Sequence, residues 1–136
     1  MFKTIMVPID LSHAKEGASM IDIAKLHAEE NSRVILLNVV EEVPTYVVEQ
    51  LPKDIMAHSR QAAVDELKAI AEGAGIKCEA KVITGHAYRT ILETAEDENI
   101  DLIIIASHKP GIQDYFLGST AARVVRHAKC SVMVVR

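Results

Sequence analysis

The fold is decided by residues 100–127, which read Ile100-Asp-Leu-Ile-Ile-Ile-Ala-Ser-His-Lys-Pro-Gly-Ile-Gln-Asp-Tyr-Phe-Leu-Gly-Ser-Thr-Ala-Ala-Arg-Val-Val-Arg-His127. The first part, residues 100–106, is an Ile-rich apolar run with the length of a strand that is buried on both faces. Residues 107–117 contain Pro110-Gly111 and are typical of a loop. A helix then begins at Gly118-Ser119-Thr120. The stretch therefore predicts a buried strand, a loop and a helix in succession.

The helix start at Gly118-Ser119-Thr120 is a candidate anion site. The N–H groups of a first helical turn have no partner inside the helix, and the helix dipole is positive there. Gly118 lets a phosphate approach the backbone, and the hydroxyls of Ser119 and Thr120 add hydrogen-bond donors. The same triplet also suits an ordinary N-cap, because Ser and Thr are favoured at any helix start. Both interpretations are open at this point.

Composition is that of an ordinary globular domain. The 136 residues are 49% hydrophobic and 25% charged, and this length predicts one domain, 1–136, that needs no metal or disulfide to fold. The net charge of −4 argues against nucleic-acid binding. We find no apolar run of membrane-spanning length and no signal-peptide pattern, so we expect no membrane partner and a cytoplasmic location. Cys78 and Cys130 lack a CxxC spacing, which indicates free thiols in a reducing compartment.

Apolar patterns along the rest of the chain predict strands and helices in alternation. Strands are expected at residues 2–9, 33–40, 76–83, 100–106 and 131–136. Helices are expected from the N-cap Ser12 to about Glu30, where Asn31-Ser32 ends the helix, and at 53–72, 87–97 and 118–127. Alternation of this kind predicts an α/β protein with a parallel sheet and helices on both of its faces.

Two segments of this pattern carry more specific expectations. The helix at 53–72 should bury an apolar stripe of Ile55, Met56, Ala63, Leu67 and Ile70. Residues 76–83 alternate between apolar and charged side chains, which favours a half-exposed strand at a sheet edge. Residues 41–52 contain two prolines and no regular period, and such long connections are often functional.

Ligands of such sheets bind beyond the carboxyl ends of the strands, where the strand order reverses. Asp10 is the carboxylate at such an end, and it could cap the first helix, contact a ribose or contact a metal held by phosphates. His108 follows the fourth strand and could donate to a phosphate or shape the loop. The remaining histidines have the pattern of surface residues, and Arg123, Arg126 and His127 suit the negative end of the last helix.

The motifs of several enzyme classes are missing from the sequence. We find no G-x-x-x-x-G-K-[ST], no G-x-G-x-x-G after the first strand and no G-x-S-x-G. No histidine pairs with another His or with Cys at a metal-ligand spacing, so we predict neither a catalytic constellation nor a metal site. The first turn, residues 8–12, contains no glycine, which moves the expected phosphate site to Gly111 and Gly118.

Three segments together resemble the universal stress protein (UspA) family. They are Val7-Pro8-Ile9-Asp10, Ala106-Ser107-His108, and Leu117-Gly118-Ser119-Thr120 with the Ala-Ala-Arg-Val-Val-Arg-His-Ala-Lys-Cys-Ser-Val-Met-Val-Val that follows it. The resemblance covers the whole chain in element order, and the last third is most similar to the F/G-type members. It implies a Rossmann-like, adenine nucleotide alpha hydrolase-like fold with an open, parallel five-stranded sheet in the order 3-2-1-4-5.

The resemblance also implies an ATP site, since nucleotide-binding members of the family carry G-x2-G-x9-G-[ST]. By position, Ala106 replaces the first glycine, Lys109 or Gly111 takes the second, and Gly118-Ser119 is the final pair, in a loop one residue shorter than the family pattern. Lys109 could offset a lost glycine with its charge. The implied site, with Mg²⁺ held mainly by the phosphates, comprises Pro8, Ile9, Asp10 and Val39 near adenine and ribose, and Ala106, Ser107, His108, Lys109, Gly111, Gly118, Ser119 and Thr120.

Three functions fit these residues. The first is a small ATP-binding regulatory protein with little or no turnover. The second is a nucleotide-independent dimeric module, because the final strand, 131–136, is apolar on both faces and members of the family similarly dimerise through it. The third, a pyrophosphatase of the related hydrolase class, would need a Ser-Gly-Gly-rich first turn, which residues 8–12 lack.

Overall fold

The computed structural model describes residues 1–107 and 117–136. Helices and strands alternate along this part of the chain, and a single 3-10 turn, Leu11–His13, precedes the first helix. In chain order the elements are β1 (Phe2–Pro8), α1 (Ala14–His27), β2 (Ala28–Glu41), α2 (Thr45–Val48), α3 (Lys53–Glu72), β3 (Cys78–Gly85), α4 (Ala87–Asp97), β4 (Leu102–Ala106), α5 (Ser119–His127) and β5 (Ser131–Val135).

The five strands form one parallel sheet in the order β3-β2-β1-β4-β5. The predicted fold, an open parallel sheet ordered 3-2-1-4-5, is therefore confirmed. The Ile-rich run is confirmed as a buried central strand, because residues 102–105 of β4 are all buried. β3 lies at one edge, as its alternating pattern predicts, and β5 lies at the other.

The helices cover both faces of the sheet. On one face, Met20, Ile21 and Ala24 of α1 and Leu67 of α3 pack in a single apolar cluster with side chains of the strands. On the other face, a second cluster includes side chains of α4 and α5. Because both faces of the central strands are buried, their sequences are continuous apolar runs and not alternating ones.

The first helix ends earlier than its sequence pattern suggests. The prediction that it reaches Glu30 is wrong, because α1 ends at His27 and Ala28 is already extended, with ψ of 139°. Pairing with β1 is irregular after Ala28 and becomes continuous only from Arg33, so the continuously paired part of β2 begins where the sequence predicts a strand. The Ser32 hydroxyl closes the irregular segment by accepting from the Glu29 N–H and donating to the Phe2 carbonyl.

The apolar stripe predicted for α3 is only partly buried. Leu67 is fully buried, but Ile55 and Met56, which we expected in the core, are 50% and 36% exposed. Periodicity shows which face of a helix is apolar, but it does not show how far the sheet extends beneath that face. The irregular segment 41–52 contains one short helix, α2, which the sequence pattern does not indicate.

An ion-pair network ties the end of α4 to the edge of the sheet. Arg33 forms ion pairs with Glu79 and Glu98, and Glu98 also forms one with Lys81. Hydrogen bonds from Lys81 and Arg33 lower the pKa of Glu98, and the two carboxylates raise the pKa of Arg33. The chain then turns at Asn99, whose φ of 53° is left-handed, and enters β4.

Candidate functional site

A cleft of about 640 Å³ opens at the carboxyl ends of β1, β2 and β4. This volume falls within the range of small-molecule sites, roughly 300–1,000 Å³. Nine of the residues predicted from the sequence line it, namely Pro8, Ile9, Asp10, Val39, Ala106, Ser107, Gly118, Ser119 and Thr120. The other three predicted residues, His108, Lys109 and Gly111, lie outside the described residues.

The floor of the cleft is fixed by hydrogen bonds between the ends of β1 and β2. The Ile9 N–H donates to the Leu37 carbonyl at 2.8 Å, and the Asn38 side-chain amide donates to the Ile9 carbonyl at 2.9 Å. Asn38 is only 9% exposed, so the hydrogen bond that fixes the Ile9 carbonyl is buried. This arrangement positions Asp10 at the rim.

Asp10 orders the turn that leads into α1. One carboxylate oxygen accepts from the Ser12 N–H at 3.0 Å and from the Ser12 hydroxyl, and the Asp10 carbonyl accepts from the His13 N–H at 2.9 Å. The prediction that Ser12 is the N-cap is wrong, because the N-cap position is His13, without a side-chain cap. The carboxylate of Asp10 is exposed and lines the cleft. Both hydrogen bonds from Ser12 go to the same oxygen, and no donor among the described residues contacts the other one.

The start of α5 contributes backbone donors to the cleft. Gly118 is the N-cap residue, so the cap position carries no side chain that could accept from the first turn. The Gly118 N–H donates to the Ser107 carbonyl, whereas no described acceptor receives the N–H groups of Ser119, Thr120 or Ala121. The cap residue is therefore Gly118 and neither Ser119 nor Thr120, and among the described residues three donors remain at the positive end of the helix dipole.

β4 holds the other side of this helix start. Ala106 is the last residue of β4 and pairs with Val135, so its methyl group extends from ordinary strand backbone. Ser107 is 2% exposed, and its N–H donates to the Val135 carbonyl at 2.9 Å. The bonds of Ser107 to β5 and to Gly118 fix the distance between the sheet and α5.

Sequence reasoning missed part of the cleft wall. Glu16 and Met20 line it from α1, Asn38 and Glu41 from β2, and Ile91 from α4. Glu16 and Met20 are four residues apart on α1, and Ala87 and Ile91, which both line the cleft, are four residues apart on α4. This i, i+4 spacing on helices that begin at the cleft edge is the signal that could have identified them.

Charge is unevenly distributed around the cleft. Three acidic side chains, Asp10, Glu16 and Glu41, line it from the side of β1, α1 and β2.

In residues 1–107 and 117–136, no group of three His, Cys, Asp or Glu side chains could hold a metal ion. Within the same ranges, no helix is both long and apolar enough to cross a membrane.

The fold and the cleft define a class, namely α/β proteins that hold a ligand at the carboxyl edge of a parallel sheet, where the strand order reverses. The sequence model of the universal stress protein family matches residues 1–136. The chain belongs to the universal stress protein family.

Individual relatives agree with this assignment. A universal stress protein of Methanocaldococcus jannaschii is 31% identical over 144 residues, which span all of this chain and 83% of the relative. Universal stress protein G of Escherichia coli O157:H7 is 27% identical over 142 residues, which cover both chains completely. The solved structure of the hypothetical protein MJ0577 is 28% identical, with a TM-score of 0.82 over 99% of this chain and 96% of that one.

Some structural neighbours contain nucleotides. A universal stress protein in complex with cAMP is 20% identical, with a TM-score of 0.71 over 99% of this chain and 97% of its own. A family protein of Arabidopsis thaliana with AMP bound is 18% identical, with a TM-score of 0.62 over 98% of this chain and 90% of its own. At these identities the likeness establishes the shared fold.

Proposed function

We propose that this protein binds ATP in the cleft and acts as a small regulatory protein of the stress response, with little or no turnover. The observation that carries the proposal is the uncapped start of α5, where three N–H groups face a cleft large enough for a nucleotide. Unpaired helix-start donors beside a Gly-Ser-Thr sequence form a suitable environment for phosphate.

In the proposed complex, adenine and ribose lie near Pro8, Ile9, Asp10 and Val39. The free carboxylate oxygen of Asp10 suits a ribose hydroxyl, because a carboxylate accepts two or more hydrogen bonds. Val39 is half-buried at the end of β2 and offers an apolar surface to the base. The acidic side chains near this end of the cleft favour the neutral part of the ligand.

The phosphates in this proposal lie over the start of α5. Backbone N–H groups there would replace water around the anion, and the hydroxyls of Ser119 and Thr120 add donors. Ala106 and Ser107 border the same space. By the family pattern, His108, Lys109 and Gly111 belong to the phosphate site, and Mg²⁺ enters with ATP, since that ion prefers phosphate oxygens and water as ligands.

The nucleotides in the structural neighbours support this proposal. A relative with cAMP and another with AMP have the same fold around their ligands. The free thiols of Cys78 and Cys130 support a cytoplasmic site of action, where thiols remain reduced and ATP is available.

Calorimetric titration with ATP and Mg²⁺ tests the proposal. We expect saturable binding by the unaltered protein and a loss of at least about tenfold in affinity for Gly118→Val, because a side chain there crowds the phosphate site. Gly73→Ala is the matched control, since a methyl group there meets only the Ala69 and Ile70 carbonyls, 3.5 and 3.8 Å away. Absent or millimolar affinity in the unaltered protein would contradict the proposal.

We also propose that the protein is a homodimer that pairs through β5. Among the described residues, this strand pairs with β4 and with no other strand, and residues 132–135 remain half-buried in the monomer. An apolar edge strand of this kind is a template for pairing with a second copy. Such a dimer is compatible with ATP binding. A nucleotide-independent module of the same family would use the same β5 interface.

Sedimentation analysis of Val134→Lys tests the interface. We expect a folded monomer, because a lysine on an edge strand disfavours pairing of that strand with a second copy. Ile83→Lys is the matched control, since Ile83 is also half-buried on an edge strand, β3, at the opposite side of the sheet. An unchanged dimer in Val134→Lys would exclude β5 as the contact.

A further inference from the structure

Two arginines converge on one tyrosine at the junction of α4 and α5. The guanidinium carbon of Arg123, from α5, lies 4.7 Å from the centre of the Tyr88 ring. The guanidinium carbon of Arg89 lies 5.8 Å from the same point, and its Nε donates to the Tyr88 hydroxyl at 3.2 Å. Tyr88 itself is half-buried and packs against the apolar cluster beneath α4 and α5.

Both arginines lack a direct carboxylate partner among the described residues, although the pKa of the Arg89 guanidinium is raised by its hydrogen bond to Tyr88 and, to a lesser extent, by the nearby Glu93 carboxylate. The ring of Tyr88 holds Arg123 by a cation–π contact, which leaves the edge N–H donors of the guanidinium free. The hydrogen bond from Arg89 lowers the pKa of Tyr88, which shows the positive potential at this junction.

Two residues beside this junction line the cleft. Ala87, the neighbour of Tyr88, lines the cleft, and so does Thr120, which precedes Arg123 by three residues on the same side of α5. The first turns of α4 and α5 also direct their positive dipole ends toward this edge of the sheet. The acidic side chains that line the cleft come from the other elements, namely the end of β1, α1 and β2.

We propose that Arg123, held in place by the ring of Tyr88, binds the terminal phosphates of a nucleoside triphosphate and so makes the cleft prefer triphosphates to monophosphates. The inference rests on the proposed nucleotide function. A phosphate chain that begins over Ser119 and Thr120 extends away from the acidic side of the cleft and toward the guanidinium. Arg123 is then a specificity-determining residue, and Tyr88 is a positioning residue that acts through it.

Paired calorimetric titrations with ATP and AMP test this inference. For Arg123→Ala we expect ATP affinity to fall about fivefold or more and AMP affinity to change less than about twofold, because only the longer phosphate chain loses a charge-assisted contact. Arg126→Ala is the matched control, since Arg126 is exposed in the last turn of the same helix. It should leave both affinities within about twofold of the unaltered protein.

Variants of the tyrosine separate positioning from structure. Tyr88→Phe keeps the ring and should keep the preference for ATP, whereas Tyr88→Leu removes the ring and should lower ATP affinity with little effect on AMP. Arg123→Lys should recover part of the loss, because a lysine restores the charge without the planar group. Thermal unfolding of each variant establishes that the protein is folded.

Three results would overturn the inference. One is an equal loss of ATP and AMP affinity in Arg123→Ala, another is ATP binding that Arg123→Ala leaves unchanged, and the third is an unchanged preference in Tyr88→Leu. Each of these would leave the proposed ATP function standing. Failure of the unaltered protein to bind any of the nucleotides would overturn both proposals together, so the two failures are distinguishable.

Discussion

Replacement of Ser119 by glutamate should make the protein more stable and weaken its binding of ATP. Ser119 is the exposed first residue of α5, and the N-cap residue before it, Gly118, has no side chain to accept from the first turn. A carboxylate in this turn meets the N–H groups of Ser119, Thr120 and Ala121 and the positive end of the helix dipole. We therefore expect an increase of about 0.3–1 kcal/mol in the free energy of unfolding.

The same carboxylate opposes the phosphates of ATP. Two unit charges 4 Å apart repel by about 4 kcal/mol at the effective dielectric constant near a protein surface, roughly 20. Because Ser119 is exposed, solvent and salt reduce this repulsion, and we take about 1.5–2.5 kcal/mol as the remaining effect. At about 1.4 kcal/mol for each factor of ten, ATP affinity should fall by about ten- to sixtyfold.

Denaturant unfolding and ATP calorimetry of Ser119→Glu measure the two effects, and Ser119→Gln is the neutral control of equal size. The glutamine variant should show neither the gain in stability nor the full loss of affinity. Equal ATP affinity in the two variants would refute the location of the phosphates. A loss of stability in Ser119→Glu, with Ser119→Gln unaffected, would refute the conclusion that the donors of this helix start are free.

Three further predictions concern the framework around the cleft. A methyl group on Gly85 would lie 2.5 Å from the Thr90 hydroxyl oxygen, so Gly85→Ala should lower the free energy of unfolding by roughly 1–3 kcal/mol, and by much less when Thr90 is also alanine. Asn38→Ala leaves the Ile9 carbonyl without its buried donor and should cost about 1–3 kcal/mol in a denaturant titration. The pKa of Glu98 is lowered in the folded protein, so its stabilising contribution is present at neutral pH and is lost as pH falls below the ordinary value of 4.5. The melting temperature of Glu98→Gln should therefore lie below that of the unaltered protein at pH 7, and the difference should shrink as pH falls below 4.5.

Each of these predictions has an outcome that contradicts it. An equal cost of Gly85→Ala with and without Thr90 would show that their contact is not the cause. Asn38→Ala with unchanged stability would mean that water satisfies the Ile9 carbonyl. For Glu98, the control is Glu66→Gln, at an exposed position of α3. If the difference in melting temperature between Glu98→Gln and the unaltered protein persists unchanged below pH 4, the charge of Glu98 is not its source.

The sequence predicted the sheet well because the central strands bury both faces. Residues 102–105 are all buried in β4, and the short length and Ile content of the run favoured a strand over a buried helix. The positions of site residues at strand ends followed from the same pattern. Ser107 and Gly118 lie together because the carboxyl end of one strand and the start of the next helix meet at the same edge.

Other features depended on tertiary contacts that no local pattern contains. Ile55 and Met56 have the spacing of core residues, but the apolar cluster that α3 joins lies farther along the helix, at Leu67. The hydrogen bond from the Asn38 side chain to the Ile9 carbonyl joins residues that are 29 apart in sequence, so it depends on β1 and β2 being neighbours in the sheet. The pairing of Tyr88 with Arg123 similarly requires α4 and α5 to be neighbours, which only the fold reveals.

A nuclear magnetic resonance titration with ATP and Mg²⁺ tests the central claim most directly, because it reports on each backbone amide separately. The largest saturable shifts should occur at the N–H groups of Ser119, Thr120 and Ala121, with smaller shifts at Ile9 and Val39 and none at Gly73. Shifts of this pattern would establish phosphates at the start of α5. The absence of saturable shifts, or shifts that leave these three amides unchanged, would contradict the account.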